Sequence, residues 1–364
     1  MNWLRNSPLA LSTWAAIIAL AFAAVITSLV LAATGFDPIF AFSQMATFGS
    51  QPDSIANILD RGTTYYLSAL AVAIGFRMNL FNIGVDGQYQ LAALMAAAFG
   101  GAVALPPGLA QLAIIVVAML TGALWAAIPA LLKAMRGVSE VIATIMLNSV
   151  ATGIIAFLLT PGRFGVRAEG SNNIGTAPIP ASGRVPGIPF PGSGTDVFGL
   201  IVLAIVVGVA YALVLRRTRF GFDLRATGLS PSAALASGVH PKRMVIAAMV
   251  ASGAVAGLVG VPQLLGDSYQ YSLDFPAGIG FTGIAIALLG RNSAVGMGFA
   301  ALLWAFLDQS AQILDLNEIP KELVAITQAV VVLSVVVVYE VVHRLGLKYQ
   351  QQAVGAVLGE EAVR

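Results

Sequence analysis

The stretch LSTWAAIIALAFAAVITSLVLAA, Leu11 to Ala33, runs for 23 residues without a charge. A helix rises about 1.5 Å per residue, so about 20 apolar residues cross the hydrocarbon core of a bilayer. Arg5 precedes the run and Ala32-Ala33 closes it, as in a secretory leader. The apolar core of a leader spans only about 7–15 residues, so the run reads as a retained first span. Nine further apolar stretches follow: Thr63–Phe76, Tyr89–Leu105, Leu109–Leu132, Val138–Leu159, Val197–Leu215, Met244–Leu265, Ala277–Leu289, Val295–Leu314 and Leu323–Val342. The second and eighth of the ten are short. The expected fold is therefore an all-α polytopic membrane protein of about ten transmembrane helices, forming one domain over residues 1–364.

Composition agrees. Charged residues make up 10% of the chain and hydrophobic residues 58%, with a mean hydropathy of +0.87. Soluble domains carry about 25% charged residues. There is no cysteine, and the two histidines, His240 and His343, are far apart. Neither a disulfide framework nor a zinc site is expected. No phosphate-binding loop, HExxH, GxSxG or dinucleotide fingerprint occurs, so the chain is not expected to be an enzyme or to bind a cofactor.

Cytoplasmic connections are rich in Lys and Arg. With the N-terminus inside, Arg5, Arg77, Lys133, Arg136, Arg216, Arg217, Arg219, Arg225, Lys242, Arg243, Arg291, Arg344, Lys348 and Arg364 are cytoplasmic. Only Arg61, Arg163, Arg167, Arg184 and Lys321 then lie outside. This bias places both termini in the cytoplasm.

Two connections break the apolar rhythm. Residues 161–196 form an outer loop rich in Pro, Gly and Ser, open to two readings: a docking surface or a plain linker. Residues 216–243 form an inner loop. In it, Ser230 and Pro231 start a helix, as a hydroxyl cap followed by proline at the first helical position. Gly238 supplies the left-handed residue that stops it. A two-turn helix is too short to be stable alone in water. Ala233, Ala234 and Ala236 suit a groove on another protein, or a place on this chain's own inner surface.

The segment RMNLFNIGVDGQYQ, Arg77 to Gln90, crowds polar groups between two apolar stretches. Irregular backbone at membrane depth persists only where it is buried in protein or lines a watery cavity. Asn79, Phe81, Asn82, Asp86 and Gln88 are thus candidates for a solute path. The alternative is a cytoplasmic turn in which Asp86 caps the helix that follows. GFRMN (75–79) and LGRNS (289–293) share an Arg followed closely by Asn at the end of a short span. Asn148 is expected to bond to a neighbouring helix or face the path. Asp308 is either a functional intramembrane carboxylate or wet at the outer end. Gly253 and Gly257 form a GxxxG pair suited to close helix packing.

FNIGVDGQ (81–88) resembles the FNIG-acidic-GQ motif of permease subunits in the nucleoside and simple-sugar branch of ATP-binding-cassette (ABC) importers. These belong to the wider ribose and branched-chain amino-acid permease superfamily. EVIATIMLNSVA (140–151), GFDLRATGLSPSAALASGV (221–239) and GIGFTGIAIALLGR (278–291) are similar to that branch's fifth span, inner coupling loop and eighth span. Asp86 stands where Glu is commoner. The resemblance implies a plasma-membrane permease for a nucleoside or sugar-like solute, with Gly221, Arg225, Gly228, Ser230, Pro231, Ala233, Ala234 and Gly238 in the loop that couples to the ATPase. Its partners would be a second permease chain, a different one in a heterodimer or a second copy in a homodimer, a cytoplasmic ABC ATPase that hydrolyses the ATP, an extracytoplasmic solute-binding protein and membrane lipid, with no nucleic acid. An ion-driven carrier would need more intramembrane relay groups than Asp308 provides, and a membrane enzyme would need a catalytic pair.

Overall fold

The computed structural model describes residues 8–167, 173–320 and 322–361, and these are overwhelmingly helical. They divide into two compact units. One is residues 50–306; the other combines residues up to 49 with those from 307 onward.

The larger unit is built around α3 (Pro52–Phe76). Leu67 to Ala73 of this helix are all completely buried. A helix apolar and buried on every side must be wrapped by other helices. Those packed on it are α7 (Ile201–Arg217), α10 (Pro241–Gly257) and α12 (Ile279–Leu289). Next in the chain come α4 (Val85–Ala102), α5 (Leu109–Arg136) and α6 (Glu140–Leu158). After α7 follow α8 (Arg219–Leu229) and α9 (Pro231–Ala236). Beyond α10, α11 (Val261–Gln263) leads into a π-helical turn at Leu264–Ser268.

α5 meets α10 through small residues. A methyl group on Gly257 would run into the Ala118 carbonyl, and one on Gly253 into Gly122 and Ala126. The GxxxG pair is thus a close packing contact. The opposite faces of α5 and α6 display large apolar side chains, among them Leu120, Leu124, Ile142 and Met146. In water these would be a liability; in lipid they are the outer surface.

Local sequence explains several boundaries. Pro52, Pro231 and Pro241 stand in the first turns of their helices, where the missing N–H costs nothing. α5 ends at Gly137, whose φ of 70° only glycine adopts freely, with Val138 N–H bonding back to Leu132.

In the smaller unit, α1 (Pro8–Ala33) packs against α14 (Glu322–Glu361). α2 (Pro38–Gly49) turns away from α1 by 119°. It exposes Ile39 and Phe40 and buries Ala41 and Met45. α13 (Ala294–Leu316) has its last turns here.

Each of the ten apolar stretches overlaps a helix. By length and apolarity alone, four of the described helical segments suffice to cross a membrane: Leu109–Arg136, Glu140–Leu158, Pro241–Ser268 and Ala294–Leu316. Two bent pairs, α1 with α2 and α7 with α8, bring this to six. The second stretch is not short, because α3 begins at Pro52 rather than Thr63. Its first half carries Asp53, Asp60 and Arg61, which hid the helix from a reading based on apolar runs. α12 is short as expected, with 11 residues.

The connection between α6 and α7 is fastened at several points. Val166–Arg167 pairs antiparallel with Ile174–Gly175. Thr176 N–H donates to the Tyr271 carbonyl at 2.8 Å, and Ile188 and Val197 exchange backbone bonds. The Asp53 carboxylate accepts from Ser193 Oγ at 2.7 Å and Gly194 N–H at 2.8 Å, fastening the loop to the start of α3.

Candidate functional site

The polar segment between α3 and α4 is an ordered knot. Arg77 Nη2 and Tyr211 Oη both donate to the Asn292 carbonyl, at 2.6 and 2.8 Å. The ends of α3 and α12, matched in sequence as GFRMN and LGRNS, therefore meet. Each stops with left-handed backbone at Asn79 (φ 55°), Arg291 (56°) and Asn292 (53°), which Asn tolerates better than most residues. Asn79 Nδ2 also reaches the Gly228 carbonyl at 2.7 Å. A methyl group on Gly228 would lie 2.7 Å from the Arg77 carbonyl oxygen. Residues 216–243 and the polar segment are thus in direct contact.

Asn82 and Gln88 are each 1% exposed. Their amides bond reciprocally at 3.0 Å, Asn82 Nδ2 also donates to Ser252 Oγ at 2.8 Å, and Ser252 Oγ donates to the Ala71 carbonyl at 2.6 Å. Gly84 N–H uses the Asn82 oxygen as well. Both side chains are occupied in holding α3, α4 and α10 together. Asn148 bridges α6 to the same segment: its oxygen accepts from Gly87 N–H and its nitrogen donates to the Ile83 carbonyl, both at 3.0 Å. Phe81 is half exposed, edge-on to Phe76 at 5.0 Å.

Asp86 caps a helix, but not its own. Its Oδ1 accepts from Gly280 N–H at 3.1 Å, in the first turn of α12, and its Oδ2 accepts from Gln90 Nε2 at 2.8 Å. The first N–H groups of a helix have no internal partner, and a carboxylate there is also attracted by the positive end of the helix dipole. A side chain at position 280 would collide with the Asp86 backbone. Tyr89 Oη donates to the Pro276 carbonyl, and Ser68 Oγ to that of Ile279 at 2.9 Å. Together these fix the turn that enters α12.

That turn is one wall of a polar cavity of about 630 Å³. Asn57, Asp60, Arg61, Thr64 and Tyr65 of α3 line one side, and Gln263 of α11 with Gly266 and Asp267 of the π-helical turn another. Pro276, Ala277 and Ile279 complete it, with Gly194 to Asp196 and Phe198 contributed by the connection that leads into α7. Asp60 Oδ1 accepts from Phe198 N–H at 2.7 Å. None of the seven residues singled out for a solute path lines this space. Asp86 holds its wall from behind. Asp60 and Asp267 were missed, although a carboxylate inside a helix that also carries an apolar run was the available signal.

Within residues 216–243, Ser230 Oγ accepts from Ala233 N–H at 3.3 Å, Pro231 opens α9, and Gly238 has φ 83°. α8, capped by Thr218 through Gly221 N–H at 3.1 Å, is an additional helix. Gly221 lies so close to α7 that a methyl group would meet Leu215 Cα at 2.6 Å, and Arg225 is half buried. The alanine face divides: Ala234 is 2% exposed and packs on this chain, while Ala233 and Ala236 are exposed. The larger apolar groups turned outward are Phe222, Leu229 and Leu235, at 61%, 87% and 60% exposure. Asp308 lies in the smaller unit, where its Oδ1 accepts from Gln328 Nε2 of α14 at 2.6 Å.

Residues 54–339 match the family described as branched-chain amino acid transport system / permease component. The nucleoside ABC transporter permease NupB of Lactococcus lactis is 31% identical over 88% of this chain and 90% of its own length. The glucose ABC transporter permease TsgB13 of Haloferax volcanii is 32% identical, covering 91% and 89%. The guanosine ABC transporter permease NupP of Bacillus subtilis is 35% identical, covering 78% and 81%. In the Lactococcus and Bacillus strains a second nucleoside or guanosine permease also matches, at 26% identity. No solved structure matches this chain.

Proposed function

The chain belongs to the branched-chain amino acid transport permease family, and on that premise we propose that it is the membrane subunit of an ABC importer for a nucleoside or sugar-like solute in the plasma membrane. The observation that carries the reading is similarity along nearly the whole chain to permeases named for nucleosides and glucose. In the proposed arrangement the ten apolar stretches cross or dip into the bilayer, with both termini cytoplasmic. ATP is hydrolysed by a separate chain. A second permease completes the path, as the paired matches within two organisms suggest, and an extracytoplasmic protein delivers the solute.

Reconstitution tests this. The purified chain alone is expected neither to hydrolyse ATP nor to concentrate solute. With the second permease, the ATPase and the binding protein, it is expected to accumulate nucleoside or sugar, and vanadate to stop it. Accumulation driven by a proton or sodium gradient with no ATPase present would sink the proposal.

The inner loop is the proposed ATPase contact, with Ser230, Pro231 and Gly238 shaping α9. Exposed apolar groups on a water-facing loop mark a partner surface. Leu235→Asp is expected to reduce ATPase co-purification about tenfold or more, the effect of a buried unpaired charge at an interface, while the permease remains abundant. Ala234→Arg, by contrast, is expected to lower the abundance of the permease itself. Normal ATPase binding by Leu235→Asp and Leu229→Asp would place the contact elsewhere.

A further inference from the structure

The cavity above α12 is larger than a filled helix junction leaves, and its volume of about 630 Å³ lies within the range of small-molecule sites. Its lining combines carboxylates, an amide and an aromatic ring. We infer that it binds the vicinal diol of an uncharged ribose or sugar ring, with Asp60 and Asp267 accepting the paired hydroxyls. The inference rests on the importer reading and adds to it the place and chemistry of recognition.

A carboxylate only accepts hydrogen bonds, so Asp60 and Asp267 can each take one of the two hydroxyl donors of a diol. Asp60 is already oriented for this. Phe198 N–H holds its Oδ1 at 2.7 Å, leaving Oδ2 for a ligand. Gln263 offers both a donor and an acceptor, and Tyr65 an aromatic face. The electrostatics set a limit. Asp60, Asp196 and Asp267 face a single base, Arg61, so the space repels anions. The N-terminus of α12 would ordinarily attract a phosphate group. Here Gly280 N–H is taken by Asp86 from behind the wall, so that attraction is cancelled. The site should therefore accept nucleosides and free sugars and refuse their phosphates.

The chain has no native cysteine, which makes the test direct. Asn57→Cys puts a thiol on the cavity wall. In right-side-out vesicles holding the whole importer, a membrane-impermeant thiol reagent is expected to label it from outside. Millimolar uridine or glucose should slow the labelling; uridine monophosphate and 2′,3′-dideoxyuridine should not. Adding Asp60→Asn, which keeps an oxygen for Phe198 N–H, should raise the half-protecting concentration about tenfold, the effect of losing one charge-assisted hydrogen bond. Asp267→Asn serves as the second variant if the first does not assemble. Labelling that neither solute slows, in an importer that still takes up one of them, would overturn this site and leave the permease reading intact. Absence of labelling from outside would do the same. Equal protection by the dideoxy compound would overturn the diol assignment, and equal protection by the monophosphate would overturn the charge argument. If the importer takes up no nucleoside or sugar at all, the permease reading falls, and this site with it.

Discussion

Gly257→Val is expected to cut the recovery of folded protein several-fold. A side chain there would run into the Ala118 carbonyl and come within 3.2 Å of Met119 Cα, both main-chain atoms of α5. Backbone in a packed helix cannot step aside as the end of a side chain can. Overpacking typically costs about 1–3 kcal/mol, occasionally more, against a total stability of about 5–15 kcal/mol. The cost should sit at the high end here, because α10 also packs on α3 at the centre of the larger unit. Gly153→Val is the control: nothing lies within 4 Å of a methyl group at that position on α6. Monodisperse protein recovered in detergent measures the effect. Equal recovery of the two variants would mean that α5 and α10 do not approach as described.

Asp86→Ala is expected to cost transport as well as stability. It leaves Gly280 N–H, at the buried start of α12, and the half-buried Gln90 amide of α4 without their acceptor. A buried polar group stripped of its partner costs about 1–3 kcal/mol. The turn from Pro276 to Gly280 then loses its anchor, and with it the wall of the cavity moves. Asp86→Asn retains an oxygen for Gly280 N–H and should recover most of the stability. Thermal unfolding in detergent and solute uptake by the assembled importer would be compared. A fully stable, fully active Asp86→Ala would show that α12 does not depend on this cap.

The amino-acid sequence by itself determined the class of protein. Runs such as Leu11–Ala33 and Leu109–Leu132 have one low-energy fate, a helix in lipid, because no water is present there to bond the backbone. Short-range signals were equally legible. Ser230, Pro231 and Gly238 specify the limits of α9 through contacts within a few residues, and Gly253 with Gly257 announced a close helix crossing. The polar segment at 77–90 was also conspicuous as a break.

What that segment does was decided only by tertiary structure. Asn82 and Gln88 are consumed by each other and by Ser252, which lies far along the chain. Asp86 caps a helix nearly two hundred residues away in sequence, where proximity to its own helix suggested the nearer one. Ala234 faces inward and Leu235 outward because α9 rests on this chain, a matter of docking that a six-residue helix cannot encode alone. The cavity is the clearest case. Its walls come from α3, the connection into α7, α11 with the π-helical turn, and the entry to α12. In the sequence Arg61 is only one basic residue before a short apolar stretch and Asp60 carries no signal of its own; the fold extends α3 past both and places Asp267 in the same space. A space shared by separate segments has no signature in any one of them, because it exists only once packing brings them together.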